Sequence, residues 1–216
     1  MAIPRAWCVA AIKIDVLCPS MSSSTATAAA AANPRAPYGI LISMAAIGPL
    51  AMNMLVPSMP GLQTTFQASS GVVQLTLTVY LAGLAVCQMI YGPLSDRYGR
   101  RPMLLAGLAL FVAASIACAL ATSIEMLILA RGIQAIGGSA GMILSRAIVR
   151  DLFSREQSAS VLGYITMAWV LAPMISPLIG GLLEQWYSFR AGFVVLACIG
   201  SLVFLAVFVR LKETNL

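Results

Sequence analysis

Six long apolar runs, separated by short polar or charged stretches, follow one another after residue 38. They lie near residues 39–58, 72–93, 103–122, 125–147, 158–183 and 191–210. A helix needs about 20 apolar residues to cross the hydrocarbon core of a bilayer, and each run meets that length. The alternation of apolar and polar residues that marks the strands of a membrane barrel is missing from these runs. The pattern predicts an all-α membrane protein in which residues 39–210 form a bundle of six transmembrane helices.

The composition agrees with a chain that meets lipid over most of its surface. Hydrophobic residues make up 60 % of the 216 residues and charged residues 9 %, with a mean hydropathy of +0.93, whereas a soluble domain carries about 25 % charged residues. The net charge of +6 does not indicate nucleic-acid binding, because the Lys and Arg residues lie in short loops rather than on one basic helix face. We expect the lipid bilayer as a partner and no nucleic acid.

The distribution of positive charge predicts the orientation of the six spans. Of the 13 Lys and Arg residues, all but Arg131 and Arg190 fall on one side when the spans are threaded through the membrane in order. Cytoplasmic loops carry the excess of Lys and Arg, so we expect both termini in the cytoplasm. Because the number of spans is even, both termini must lie on the same side of the membrane, as the charges predict.

The first 38 residues differ from the rest of the chain. Arg5, Lys13 and Asp15 interrupt any apolar run, so this stretch makes a poor signal peptide, and a low-complexity segment rich in Ser, Thr and Ala follows Met21. We expect residues 1–38 to form a disordered cytoplasmic tail. Our hypothesis is that translation starts at Met21, which would make residues 1–20 a mis-assigned extension.

The residues give no support for metal, cofactor or enzyme chemistry. The chain has five Cys and no His, and no C-x-x-C pair occurs, so neither a zinc site nor a disulfide framework is expected. An intramembrane metalloprotease needs H-E-x-x-H, and a serine dyad needs His. Paired aspartates within the spans are also missing. We expect no metal, no cofactor and no enzymatic activity.

A charged motif, GPLSDRYGRRPML at residues 92–104, lies between the second and third spans. Its polar and glycine members are Gly92, Asp96, Arg97, Gly99, Arg100 and Arg101. We expect the two glycines to permit a sharp, close-packed turn and the aspartate to pair with one of the arginines at the membrane edge. A plain positively charged loop would explain the arginines, but not the glycines, the aspartate and their spacing.

The fourth span carries a charge well inside its apolar run. At about 100° per residue, Arg131, Gln134 and Met142 share one helix face, while Gly137 and Gly141 form a pair of small residues suited to tight helix contact. A charge within a span costs about 2.5–3.5 kcal/mol on insertion scales, so it is kept where it is used or neutralised. The alternative is that the Arg131 side chain extends to the membrane surface. No G-K-[ST] follows the glycines, which excludes a P-loop.

The fifth span contains two prolines and two glycines at close spacing. Pro173 and Pro177 each remove a helix hydrogen bond on one face and favour bending, and Gly180 and Gly181 let a neighbouring helix approach. The alternative is a kinked helix with a structural role only. The first span ends with Asn53 and Met54 before a proline.

These motifs together resemble the major facilitator superfamily, and the continuation at residues 145–151 resembles its Bcr/CflA subfamily of drug:proton antiporters. The resemblance covers residues 39–215, the N-terminal half of such a transporter. It implies a six-helix bundle of the major facilitator fold, a missing C-terminal six-helix half as partner, and residues 211–216 as the cytoplasmic end or the start of a central linker. It also implies a bacterial inner (plasma) membrane location.

The resemblance further implies roles for the motifs. Asp96 and Arg101 would form the key pair of a loop that holds one end-state of alternating access. Arg131 would take part in proton transfer, and the proline-containing fifth span would pack against its counterpart in the other half. Many members of the subfamily carry an aspartate where this chain has Asn53. All seven acidic residues lie near loops or in the tails, so proton coupling would have to rely on the other half.

The resulting expectation is a multidrug efflux transporter that exchanges small hydrophobic or amphipathic compounds for protons, present as an N-terminal half. Substrate and protons would follow a path among Asn53, Met54, Arg131, Gln134 and Met142. The alternative is a truncated membrane protein that transports nothing alone.

Overall fold

The computed structural model describes residues 38–211, and nearly all of them are helical. In chain order, the elements are α1 (Tyr38–Asn53), a 3-10 turn (Val56–Ser58), α2 (Met59–Phe66), α3 (Ser70–Tyr98), α4 (Arg100–Ala119), α5 (Ile124–Leu152), α6 (Arg155–Trp186) and α7 (Phe189–Arg210). The expectations about a disordered tail, a start at Met21 and a C-terminal linker concern residues that lie outside, or almost wholly outside, this range.

The predicted fold class is confirmed. Within residues 38–211, six helical segments are long and apolar enough to cross a membrane, with α1 and α2 together forming the first. The helices are longer than the apolar runs that predict them: α3 continues to Tyr98 and α5 to Leu152. Hydropathy marks the part of a helix that meets hydrocarbon, whereas the helix itself ends where its backbone hydrogen bonds end.

Helix α5 lies at the centre of the bundle. It packs against α1, α3 and α4, while α7 packs mainly on α4 and α6 mainly on α1. The two predicted small residues of α5 make this packing close, but toward different helices. A β-carbon at Gly137 would collide with the backbone of α4 at Phe111, and one at Gly141 would lie 2.6 Å from the Met44 carbonyl oxygen of α1. Small residues allow such backbone approach between membrane helices.

Serine side chains cap the N-termini of three of these helices. Ser123 accepts a hydrogen bond from the Met126 amide at the start of α5, and Ser154 does the same for Gln157 at the start of α6. Ser188 accepts from the Arg190 amide at the start of α7. These caps satisfy amide groups that have no partner within the first turn.

The junction between α3 and α4 consists of one residue, Gly99, whose φ of 92° and ψ of 148° end one helix and begin the next. The expectation that Gly92 also forms a turn is wrong, because α3 runs through it and no atom lies within 4 Å of a β-carbon placed there. Gly92 is therefore an ordinary helical residue on an uncrowded face.

Ring contacts show which helix ends lie together. The Tyr38 ring at the start of α1 stacks on Phe153 just after α5, with ring centres 5.2 Å apart. Arg101 at the start of α4 donates to the Phe208 carbonyl near the end of α7 at 3.0 Å. Arg100 at the start of α4 also forms a salt bridge with Asp151 near the end of α5. The start of α1, the α3–α4 and α5–α6 junctions and the end of α7 thus share one end of the bundle, which we call the motif end.

Candidate functional site

The Arg131 side chain is fully buried in the middle of the bundle. Helix α5 begins at Ile124, so Arg131 lies two turns inside it and has no exposed surface. Its Nη1 atom donates to the Ala51 carbonyl of α1 at 3.1 Å and to Oε1 of Gln134 at 2.6 Å. The alternative in which this side chain extends to the membrane surface is therefore wrong.

Aromatic rings enclose the guanidinium. Its Cζ atom lies 4.1 Å from the centre of the Tyr80 ring of α3 and 5.9 Å from that of Phe193 of α7. A cation this close to a desolvated ring gains about 2 kcal/mol from the negative face of the ring. The Tyr80 hydroxyl in turn donates to the Gly48 carbonyl at 3.0 Å, which holds the ring against α1.

A chain of hydrogen bonds continues from Arg131 into α4. Gln134 Nε2 donates to the Ser115 hydroxyl at 2.8 Å, and that hydroxyl donates to the Phe111 carbonyl at 2.7 Å. Arg131, Gln134, Tyr80 and Ser115, which we call the arginine cluster, thus join four helices: α1, α3, α4 and α5. The sequence reading missed Tyr80 and Ser115, although each is a polar side chain in the middle of an apolar run.

No carboxylate balances the charge of Arg131 within residues 38–211. Arg131 forms no salt bridge there, and its Nε and Nη2 atoms are buried without a hydrogen-bond acceptor. Two neutral oxygen atoms and the faces of aromatic rings are what stabilise this cation. An unbalanced buried charge is costly, so the bundle holds this cation at an energetic cost.

A groove runs along α3, α5 and α6 and consists of two adjoining cavities. The first, of about 480 Å³, lies at the motif end and is lined by charged residues: Asp96, Arg100, Arg146, Arg150 and Asp151. We call it the vestibule. The second, of about 470 Å³, reaches the end of α1 and is lined mostly by apolar residues, among them Pro49, Leu81, Leu84 and Pro173. We call it the inner cavity. Gln88, Met142 and Trp169 border both.

The residues predicted for the substrate and proton path lie at different places in the structure. Asn53 and Met142 border the inner cavity. Arg131 and Gln134 lie behind them in the arginine cluster and have no exposed surface. Met54 faces α7 instead, where it borders a very small cavity beside Phe193. One residue of helix turns a side chain by about 100°, which separates Met54 from Asn53.

In the charged motif, Arg100 contacts two acidic residues. Its Nε atom lies 2.7 Å from Oδ2 of Asp151, and its Nη2 atom lies 3.4 Å from Oδ1 of Asp96. Arg101 donates to the Phe208 carbonyl and lies over the Phe208 ring, and Arg97 lies over the Tyr98 ring. The motif therefore links α3 and α4 to α5 and α7. The sequence reading did not foresee Asp151 as a partner.

The proline-containing span is one continuous helix. Pro173 borders the inner cavity, and Pro177 lies one turn further on within α6. A β-carbon at Gly180 would collide with the Met54 backbone, while one at Gly181 would meet only Pro57 at 3.8 Å. Gly180 thus lets α6 approach the first span of the same bundle. Packing of α6 on a counterpart in another half stays a prediction.

These features define an integral membrane protein whose six-span bundle has a groove along one side and a buried cation beside it. The family model described as the Major Facilitator Superfamily matches residues 41–216. The chain belongs to this superfamily, whose members are transporters rather than enzymes.

The curated proteins to which the chain is similar include drug-resistance proteins. It is 42 % identical to the uncharacterised MFS-type transporter YdgK of Bacillus subtilis strain 168, over 81 % of this chain and 44 % of that protein. It is 37 % identical to a chloramphenicol resistance protein of Pseudomonas aeruginosa, over 74 % of this chain and 37 % of that protein. A bicyclomycin resistance protein homolog of Haemophilus influenzae is 32 % identical, over 77 % of this chain and 42 % of that protein.

A solved structure shares the fold. The crystal structure of a peptide transporter POT in complex with sulfate has a TM-score of 0.75 at 17 % identity and covers 91 % of this chain and 42 % of that one. The chain therefore spans less than half the length of each of these relatives.

Proposed function

We propose that this bundle is one half of a multidrug efflux transporter, and that the groove forms one wall of the path that the substrate follows. The observation that carries the proposal is the continuity of the two cavities. The vestibule reaches the motif end, the inner cavity reaches Asn53, and three residues border both. Chloramphenicol and bicyclomycin, the compounds in the relatives' names, are small and chemically different. A largely apolar cavity with few polar groups suits such varied amphipathic compounds.

A second six-helix bundle would supply the opposite wall. The groove lies on the faces of α3 and α6, and large apolar side chains such as Met89 and Met174 are exposed on these helices. In transporters built from repeats, the substrate lies at the interface of the two halves, which rock about it. Alternating access then follows if the charged motif holds the motif end closed in one state and releases it in the other.

For orientation, we propose that the motif end faces the cytoplasm of a bacterium. The vestibule lining includes Arg100, Arg146 and Arg150, and the start of α1 and the end of α7 lie at that same end. An excess of Lys and Arg marks the cytoplasmic side. Both termini would then emerge at the cytoplasmic face of the inner membrane, and drug would enter the vestibule from the cytoplasm.

The driving force that we propose is the proton gradient. The acidic residues within residues 38–211 all lie near helix ends. Asn53, next to the inner cavity, carries an amide that cannot bind and release a proton. The proton-binding carboxylate is therefore proposed to belong to the second half. Arg131 would hold a fixed positive charge beside the path, which lowers the affinity of a nearby carboxylate for protons.

A chimera tests this function. The chain is joined to the part of the Pseudomonas aeruginosa chloramphenicol resistance protein that the match does not cover, and produced in bacteria that lack their own drug exporters. We expect the chimera to lower chloramphenicol accumulation, to confer resistance, and to lose both when the proton gradient is collapsed. The chain produced alone is the control and should transport nothing. A chimera that reaches the membrane and leaves drug accumulation unchanged would refute the proposal.

A further inference from the structure

Trp169 of α6 stands where the two cavities of the groove meet. It is one of the three residues that border both the vestibule and the inner cavity, and about a third of its surface is exposed. An indole ring offers a large, rigid apolar face and a single N–H donor. The ring therefore lies beside the route that a compound would take from the vestibule to the inner cavity.

The two sides of Trp169 differ in charge. The Arg146 guanidinium lies over the ring, with Cζ 5.4 Å from the ring centre, and Arg146 borders the vestibule but not the inner cavity. All the charged residues that line the groove border the vestibule, and none borders the inner cavity. Trp169 therefore marks the boundary between a charged entrance and an uncharged chamber.

The inner cavity offers a defined set of interactions. Its polar side chains are the amides of Asn53 and Gln88, together with the indole of Trp169, and apolar groups make up the rest of the lining. Amides bind neutral polar groups by hydrogen bonds, and the wall that residues 38–211 provide has no carboxylate to compensate for the desolvation of a cation. The ring of Trp169 can stack on a planar ring of a bound compound.

We propose that Trp169 is a specificity-determining residue that selects uncharged compounds carrying an aromatic ring, by stacking on that ring in the inner cavity. Arg146 anchors the indole from the vestibule side, so the ring keeps its orientation when the chamber is occupied. This inference rests on the proposed function, because it takes the groove to be the substrate path.

Two uncharged antibiotics separate stacking from general binding. Chloramphenicol carries a nitrophenyl ring, whereas bicyclomycin has no aromatic ring. Binding of each is measured by equilibrium dialysis against the purified chimera described above, in detergent micelles, with every substitution made in the part that this chain contributes. We expect Trp169→Leu to weaken chloramphenicol binding about fivefold to tenfold and to leave bicyclomycin binding within about twofold. Trp169→Phe, which keeps a ring, should restore most of the chloramphenicol affinity.

Trp186→Leu is the matched control, since Trp186 lies at the far end of the same helix, is 72 % exposed and does not line the groove. It should change neither affinity. Equal loss of both compounds in Trp169→Leu, or no loss of chloramphenicol, would overturn the role of Trp169 while leaving the groove as a binding site. A chimera with Trp169 intact that binds neither compound would refute the groove as the substrate path, and with it the proposed function and this inference.

Discussion

Replacement of Arg131 by methionine is expected to abolish drug export without lowering the stability of the bundle. The guanidinium is buried with two of its nitrogen atoms unpartnered, and an apolar side chain of similar length removes that desolvation cost. Exchange of a buried ion pair for hydrophobic residues of similar volume is often neutral, or stabilising by about 1–4 kcal/mol, and we expect no net loss of stability for this unpaired cation. Export should fall to background, because Arg131 ties α5 to the Ala51 carbonyl, two residues before Asn53, and is the charge proposed to act on the proton-binding group.

Export is measured as drug accumulation in the chimera, and stability as the thermal unfolding midpoint of the chain in detergent. Arg155→Met is the control, since Arg155 is an exposed residue in the first turn of α6 and its loss should affect neither quantity. Normal export by Arg131→Met would contradict a functional role for the buried charge. A large fall in the unfolding midpoint would show that Arg131 serves the fold instead.

Substitution of Gly137 by alanine is expected to destabilise the bundle strongly. The added β-carbon would collide with the Phe111 backbone and would lie 2.6 Å from the Gly107 carbonyl oxygen. Backbone atoms cannot rotate away as a side chain can, so α4 and α5 must move apart along their shared interface. Overpacking of this kind costs about 1–3 kcal/mol and sometimes more.

Gly163→Ala provides a matched comparison, because Gly163 lies within α6, in its third turn, and no atom of a neighbouring element lies within 4 Å of a β-carbon there. Alanine is favoured over glycine inside a helix by about 1 kcal/mol, so this variant should unfold at the same temperature as the wild-type chain or a higher one. The midpoints are obtained by circular dichroism of each variant in the same detergent. Equal midpoints for the two variants would show that the α4–α5 contact is looser than described.

The sequence predicts the helices better than it predicts the contacts between them. Apolar runs of about 20 residues identify all six spans, because lipid forces each span to satisfy its own backbone. The turn assigned to Gly92 is wrong for a related reason. The charges of the motif interrupt the apolar run, yet they do not interrupt the helix, which continues to Tyr98.

Part of the arginine cluster follows from spacing along one helix. Arg131 and Gln134 are three residues apart, so they lie on one face and can bond to each other. Tyr80 and Ser115 belong to other helices, and their contacts depend on how each helix is rotated about its axis. Small residues such as Gly137 help to set these rotations, because they let two helices approach closely. The rotation of one helix against another cannot be predicted from the spacing of residues within a single helix.

The unpredicted rotation of each helix also explains why the residues predicted for the substrate path lie at different cavities. Asn53 and Met54 are neighbours in sequence, but they face different cavities because the helix turns between them. Asp151 was missed because its partner, Arg100, comes from a different helix junction. Sequence motifs thus identify the charged end and the buried cation, while the groove between them emerges only from the assembled bundle.

Protection of a cysteine at position 53 tests most directly whether the groove is the substrate path. In the chimera, with the native cysteines of both parts replaced by serine or alanine, Asn53→Cys is labelled with N-ethylmaleimide, with and without chloramphenicol. Ser69→Cys, at an exposed position between α2 and α3, reports reactivity outside the groove. We predict that chloramphenicol slows labelling of Cys at position 53 several-fold and leaves Ser69→Cys unchanged. Equal labelling rates with and without drug at position 53 would contradict binding in the groove.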